Sequence, residues 1–436
     1  MHGLLLLFLE SVVWLPYLAV GDSPRPHDPS EWEQDNDSGH AAFGSPKHCK
    51  ALGSQSLFWD QPGSPENIDF TLVSQCSFNR IWMLRHICKR WTGDIVIAVL
   101  LDPDFWNRHP MPLVKDCQDT VNEETGKTRT VTLLPYLNEA STTNNNNSSQ
   151  DSSGHEKVLQ FYPVNALRNY ALCQVSTSHI FYTDMDLWPS STLYHRLHLT
   201  KRLYPKRFMN PQHATVVPAF ALESMCNSTG PGEPCQIPTN SVPGTFEELK
   251  RCVFRKKCHV FDRHNFEGHA TTDYRNWVFS RQKNFRLLPC IRSNRYEPYL
   301  VLPASPKTPL FDEMFTGYGK NKIQHVVHLR MAGFRFSVLS YAYVIHYPHT
   351  KSLARAKWDY RRKAKDAVNE VDLQYRDFQS WLGFVYGKKN KTTPLCFKNH
   401  TDAAADAEAT VETRAQPLLH MHNQESPYRT PSHLLG

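Results

Sequence analysis

What this 436-residue chain lacks narrows it first. It has no HExxH and no pair of CxxC motifs, so neither a zinc-protease helix nor a zinc ribbon accounts for its 22 histidines and eleven cysteines. His325 and His328 sit at i, i+3 with no third ligand at an obvious spacing. Basic runs are short, as in Arg255, Lys256 and Lys257, and the formal charge is a mild +7, so nucleic acid is not an expected partner. No internal repeat is visible. No apolar run reaches the roughly 20 residues that span a membrane.

What is present describes a globular protein. Apolar residues make up 40% and aromatics 12%, and the length suits one large α/β domain or two ordinary ones. Residues 1–20, MHGLLLLFLESVVWLPYLAV, are apolar from Leu4 to Val20 apart from Glu10, Ser11 and Pro16. No Lys or Arg precedes them. They read as a secretory signal peptide or a short signal-anchor, hence a membrane tether at the N-terminus. Sequons at Asn36, Asn146, Asn147, Asn227, Asn390 and Asn399 agree with a place in the ER or Golgi lumen. An odd cysteine count leaves at least one thiol without a partner in the chain. Cys226 and Cys235 flank a loop rich in Gly and Pro and are expected to pair, as one of one or two local bridges.

Residues 21–65 are rich in Pro, Ser, Gly and acids and read as a flexible stem. Order is expected over 66–387. Ile68, Phe70 and Leu72 alternate as in a strand, and Ile81, Leu84, Cys88 and Trp91 follow at helical spacing. DIVIAVLL is then continuous enough for a strand buried on both faces. This β-α-β opening predicts an α/β fold with a doubly wound, mainly parallel sheet. Residues 138–157 are a polar, Asn- and Ser-rich insertion, expected to be a disordered surface loop. Further on, ATVVPAF and FSVLSYAYVIH read as strands. Ile323, Val326, Val327 and Met331 line one helix face, and Val368, Val371, Tyr375, Phe378 and Leu382 another. The tail 388–436 is polar and expected to be disordered.

The stretch HIFYTDMDLWPS drives two aspartates onto the tip of an apolar strand. Ionised carboxylates avoid interiors and repel one another, so they need a cation, hydrogen bonds or an edge. Alternation sends Asp184 and Asp186 to one side and Met185 to the other. Two acids converging beyond a strand end suit Mn²⁺, with Mg²⁺ as the alternative, and such an ion can grip a diphosphate. A DxD alone also fits a capped turn with two solvated acids.

The surroundings add specificity. TLVSQCSFNRIWMLRHICKRW, FYPVNALRNYAL, HIFYTDMDLWPS, VVPAF, GHATTDYRNW, YEPYLVLP, FDEMFTGYGKNKIQHVVHL and FSVLSYAYVIHYPH follow in that order. The series over residues 67–387 resembles glycosyltransferase family 49, the second domain of LARGE-type enzymes and their β-1,4-glucuronyltransferase relatives. The resemblance implies a single catalytic domain of GT-A type, a UDP-sugar donor, a glycan or glycoprotein acceptor, Mn²⁺ dependence and inversion at the anomeric carbon. It puts the metal on Asp184, Asp186 and His346. Asn165 and Arg168, one helical turn apart, become donor-site residues, with Arg168 either meeting the nucleotide or buttressing the first aspartate. Lys322 and His349 are candidates for the diphosphate or a sugar carboxylate. Asp312 or Glu313 is the expected base, Asp312 slightly ahead. Trp277, Tyr296 and Tyr299 are candidates to stack on sugar rings. Glucuronic acid is the leading donor sugar. The insertion and the loop around residues 225–245 depart from the LARGE pattern, and only one catalytic domain is visible, which leaves the acceptor open. The rival reading is a non-catalytic glycan-binding or scaffold protein that keeps the fold.

Overall fold

The structure, a computed structural model, describes residues 63–101, 117, 121–137, 162–223, 234–279, 285–351, 355, 356, 358–360, 370–387 and 392–396, with the backbone of 12–14. The sequons, Cys226, the 138–157 insertion and most of the stem lie outside these residues. In chain order the strands and main helices are β1 (Val12–Trp14), β2 (Phe70–Ser77), α1 (Leu84–Cys88), β3 (Ile95–Leu101), β4 (Val131–Leu137), α2 (Val164–Leu172), β5 (His179–Tyr182), β6 (Leu187–Pro189), α3 (Leu193–Leu203), β7 (His213–Val217), β8 (Ala219–Leu222), α4 (Phe246–Phe254), β9 (Cys258–Val260), β10 (Arg286–Leu288), β11 (Tyr299–Pro303), α5 (Asn321–Met331), β12 (Arg335–Val338), β13 (Val344–His346) and α6 (Glu370–Tyr386).

Nine strands form one sheet in the order β1-β4-β3-β2-β5-β11-β7-β12-β10. The half from β1 to β5 is parallel, and β11 runs antiparallel to both its neighbours. The fully apolar β3 shows why the sheet is covered on both sides. Ile95, Ile97, Val99 and Leu101 face a core with Trp91, Phe181 and Trp188, while Val96, Ala98 and Leu100 face Leu167, Tyr170 and Ala171 of α2. Farther along, Val326 and Leu329 of α5 pack on Val216, Leu300 and Phe336 of the sheet. Ile323 and Val327 meet Tyr375, Phe378, Trp381 and Leu382 of α6. This is the expected α/β architecture, a mainly parallel sheet with helices packed on it.

A second sheet, ordered β6-β13-β8-β9, is fed by three chain crossings from the first: β5 to β6, β7 to β8, and β12 to β13. ATVVPAF and FSVLSYAYVIH are therefore each two strands rather than one. Pro218 divides β7 from β8 because it has no N–H for a ladder, though its carbonyl accepts from Val344 at 2.9 Å. Between β12 and β13 the chain turns through Tyr341 at φ 62°. The helix expected from the spacing of Ile81, Leu84, Cys88 and Trp91 is a 3₁₀ turn, Phe78–Met83, followed by only the five residues of α1.

Val12–Trp14 forms an edge strand beside Val131–Leu133. No helix among the described residues is long and apolar enough to cross a membrane. The rest of the expected leader lies outside them. Beyond Gly387, Thr393 is buried and its hydroxyl donates to the Phe334 carbonyl at 2.6 Å.

Bridging exceeds the one or two disulfides expected. Cys88 pairs with Cys117 and Cys252 with Cys258, and Cys173, Cys235, Cys290 and Cys396 are also disulfide-bonded. Among the described residues Cys76 is a free, buried thiol. Buried Arg129 reinforces the first bridge by donating to the carbonyls of Cys88, Trp91 and Cys117 at 2.7–2.8 Å. The bridge closes a 29-residue separation, so Cys117→Ser should lower unfolding free energy by about 3 kcal/mol. Chemical denaturation reads this directly, and an unchanged midpoint would assign the clamp to Arg129 alone.

Candidate active site

The two aspartates sit where β5 crosses to β6. Thr183 N–H still bonds to Val73 of the large sheet at 3.0 Å, and Leu187 N–H closes a turn onto the Asp184 carbonyl at 2.9 Å. Met185 is buried in the core, whereas the Asp184 and Asp186 side chains keep 22% and 15% exposure. The alternation expected from the sequence holds.

The acids have different surroundings. Asp184 Oδ1 accepts from Arg168 at 3.2 Å and from the Tyr182 hydroxyl at 2.8 Å. Its Oδ2 accepts from the Tyr299 hydroxyl at 3.0 Å and from Lys322 Nζ at 3.2 Å. Four donors occupy the four lone-pair directions of this carboxylate. Burial alone would raise its pKa, but Lys322 and Arg168 outweigh burial and lower it. Asp186 meets a different set of partners. Its Oδ2 lies 2.8 Å from His349 Nε2, 3.2 Å from Arg80 and 3.8 Å from His346 Nε2. Burial again opposes ionisation, and His349, His346 and Arg80 together hold the carboxyl far below its usual range.

Asp186, His346 and His349 bring one carboxylate oxygen and two imidazole nitrogens within 4.8 Å of one another. A mixed N/O set of this kind fits Mn²⁺ better than Mg²⁺, which prefers oxygen throughout. Two details of the imidazoles fit the same use. His346 is pushed down to about 4 by burial, with Asp186 only partly opposing, so it is neutral at pH 7. His349 Nδ1 faces the Thr350 carbonyl at 2.6 Å, an arrangement that turns the Nε2 lone pair toward a cation. The set shares Asp186 and His346 with the expected Asp184, Asp186 and His346 and contains His349 as well, while Asp184 accepts from its four donors.

The other expected residues divide clearly. Lys322 lies in the site, bonded to Asp184 and to the Tyr299 hydroxyl at 2.7 Å. Arg168 is buried against Tyr182, Asn165 and Asp184, so of its two expected roles the geometry is that of a buttress. Asn165 donates to the Asp312 carbonyl at 2.6 Å and anchors that loop. Asp312 is buried, its Oδ1 accepting from Met314 N–H at 2.9 Å, while half-buried Glu313 accepts from Asn169 at 2.8 Å. Tyr296 is fully buried with its hydroxyl on Thr272, and Tyr299 is buried beneath Asp184, so neither ring has a face for a sugar. Trp277 is half-buried, packed on Phe220 and Phe246, with Nε1–H on the Leu339 carbonyl.

Three participants were not foreseen. Arg80 reaches Asp186 from the 3₁₀ turn after β2, Tyr182 relays Arg168 to Asp184, and Phe261 packs its ring on His346 at 5.3 Å and under Lys322 at 5.8 Å. The FN-R spacing after β2 carried no signal by itself. The Tyr182-x-Asp184 alternation did, since both side chains leave one face of an extended chain.

The chain is 31% identical over 316 residues to xylosyl- and glucuronyltransferase LARGE2 of Rattus norvegicus, covering 72% of this chain and 39% of that protein. It is 30% identical to LARGE2 of Mus musculus, covering 75% and 41%, and 28% identical to LARGE1 of Homo sapiens, covering 76% and 38%. It thus spans about two-fifths of these relatives. Among solved structures it is similar, at TM-score 0.33 and 9% identity, to GalNAc-T7 with UDP, GalNAc and Mn²⁺, covering 73% and 56%. S. aureus TarS 1-349 with UDP-GlcNAc gives 0.31 and 8%, covering 73% and 66%. The model of glycosyltransferase family 49, described as "Glycosyl-transferase for dystroglycan", matches residues 69–379, well over half the chain, and the protein belongs to that family.

Proposed function

We propose that the protein transfers a sugar, glucuronic acid being the leading candidate, from a UDP-sugar to a glycan acceptor on a glycoprotein, with inversion. The observation that carries this reading is the convergence of Asp186, His346 and His349 beside Asp184 and two cations. Asp186, His346 and His349 would hold Mn²⁺, which when bound offsets charge on the departing diphosphate. Lys322 and Arg80, with 17% and 19% side-chain exposure, are cations within reach of the same phosphates. Arg168 and Tyr182 keep Asp184 ionised and fixed in direction.

Of the two acids expected as base, Glu313 retains partial exposure and Asp312 is buried. That difference favours Glu313 for taking the acceptor hydroxyl's proton. The dense disulfides support an oxidising compartment, which in a cell with a secretory pathway means the ER or Golgi lumen.

The purified chain should release UDP from UDP-glucuronic acid faster than from other UDP-sugars, and only with a divalent cation present. Failure with every donor in a UDP-sugar panel, together with no Mn²⁺-dependent UDP binding, would leave the glycan-binding scaffold as the better reading.

A further inference from the structure

The tip joining α4 to β9 takes no part in the site described above. Cys252 and Cys258 are bridged across six residues, and the chain between them turns with Lys256 at φ 57°. Phe254 stands 83% exposed on this tip. Arg255, Lys256 and Lys257 beside it are exposed as well, and they make no ion pair among the described residues. A helix C-terminus favours cations, which accounts for some of the charge. It does not account for a bare aromatic ring held there by a covalent staple. An exposed ring flanked by unpaired cations offers stacking and charge together, the combination that a carboxylated or sulfated sugar chain can use.

Register fixes where the tip lies. Leu187, His346, Ala221 and His259 stand in one row across β6, β13, β8 and β9. The next row outward contains Asp186, bonded to Tyr347 N–H at 2.7 Å, and then Leu222 paired with Cys258. Beyond it, Glu223 N–H bonds to the Lys257 carbonyl at 2.8 Å. The basic tip and the Asp186 cluster therefore leave the same end of the same sheet. Three strand spacings separate them, about 14 Å, within reach of a short oligosaccharide.

We propose that Phe254, Arg255, Lys256 and Lys257 form a binding site for an anionic polysaccharide chain. That this chain belongs to the acceptor rests on the transfer reading; the binding itself does not. Heparin serves as the sulfated probe and hyaluronan as the carboxylated one, with phosphatidylserine vesicles as the membrane arm. The triple reversal R255E/K256E/K257E should bind whichever polysaccharide the native chain binds about tenfold more weakly, with an unchanged melting temperature. F254A should weaken binding with little change in salt dependence. The reversal K89E/K127E/K206E, at three exposed cations elsewhere, should stay within about twofold of the native chain. The proposal is overturned if the native chain binds neither polysaccharide, if the tip reversal binds as the native chain does, or if both reversals weaken binding equally. Tip-dependent binding to vesicles alone would likewise overturn it in favour of a membrane contact. Because no donor enters the assay, a chain that never turns over a UDP-sugar can still pass or fail it.

Discussion

Asp186→Ala should lower sugar transfer by at least about 1,000-fold, since it removes the only carboxylate of the Asp186, His346, His349 set and with it the several kcal/mol that a bound metal contributes to the transition state. Fold should survive. The side chain is partly exposed, and the backbone bond from Tyr347 to the Asp186 carbonyl does not depend on it. The lost pairing with Arg80 and His349, at 15% side-chain exposure, is worth about 2 kcal/mol, several degrees of Tm. Asp184→Asn makes the contrasting case. Its charge separates Arg168 from Lys322, and neutralising it leaves two cations facing each other, so this variant should melt lower than Asp186→Ala. Donor turnover and melting with and without Mn²⁺ test both. More than a tenth of native activity in Asp186→Ala would remove the metal from the reading.

The second large effect is acid sensitivity. Five buried histidines are pushed down by desolvation: His179, His269 and His328 to about 3, His213 and His325 to about 4. Free imidazole titrates near 6.5. Between those values the unfolded chain binds more protons than the folded one, so stability rises with pH there. The contribution is complete above about pH 6.5 and is lost as pH falls toward 4. The imidazoles serve structure: His325 lies 2.8 Å from the Pro309 carbonyl and stacks on Phe311, and His328 bonds to the Tyr386 hydroxyl at 2.9 Å. Each should remove about 2 kcal/mol by pH 5, on the order of 10 kcal/mol for the five, or about 20 °C in Tm. Melting curves at pH 7.5, 6 and 5 measure this, and a flat profile would mean that these rings accept protons without unfolding.

How much of this was legible in the sequence depends on the range of the interaction. The run DIVIAVLL and the helical stripe from Ile323 carry their burial in their own spacing, and both elements form as expected. DMD also declared itself, because charge ending an apolar strand is a local anomaly, whereas His346 stood out only through the family resemblance. Arg80 could not, since its partner lies 106 residues away and only folding joins them. Tyr296 and Tyr299 look like sugar platforms by residue type, yet exposure is a property of the assembled layers. Pro218 did signal a break in ATVVPAF, and reading past it merged two sheets into one.

The place of β11 between β5 and β7 bears on how the chain comes off the ribosome. β5 and β7 are complete by Val217, but the strand that separates them begins only at Tyr299. Until it arrives, a nascent or truncated chain presents the unzipped backbone edges of HIFY and HATVV, both composed of residues buried in the finished protein. Such edges invite strand exchange between copies. Fragments ending before Tyr299 should therefore accumulate as chaperone clients or insoluble material, however sound their five parallel strands are.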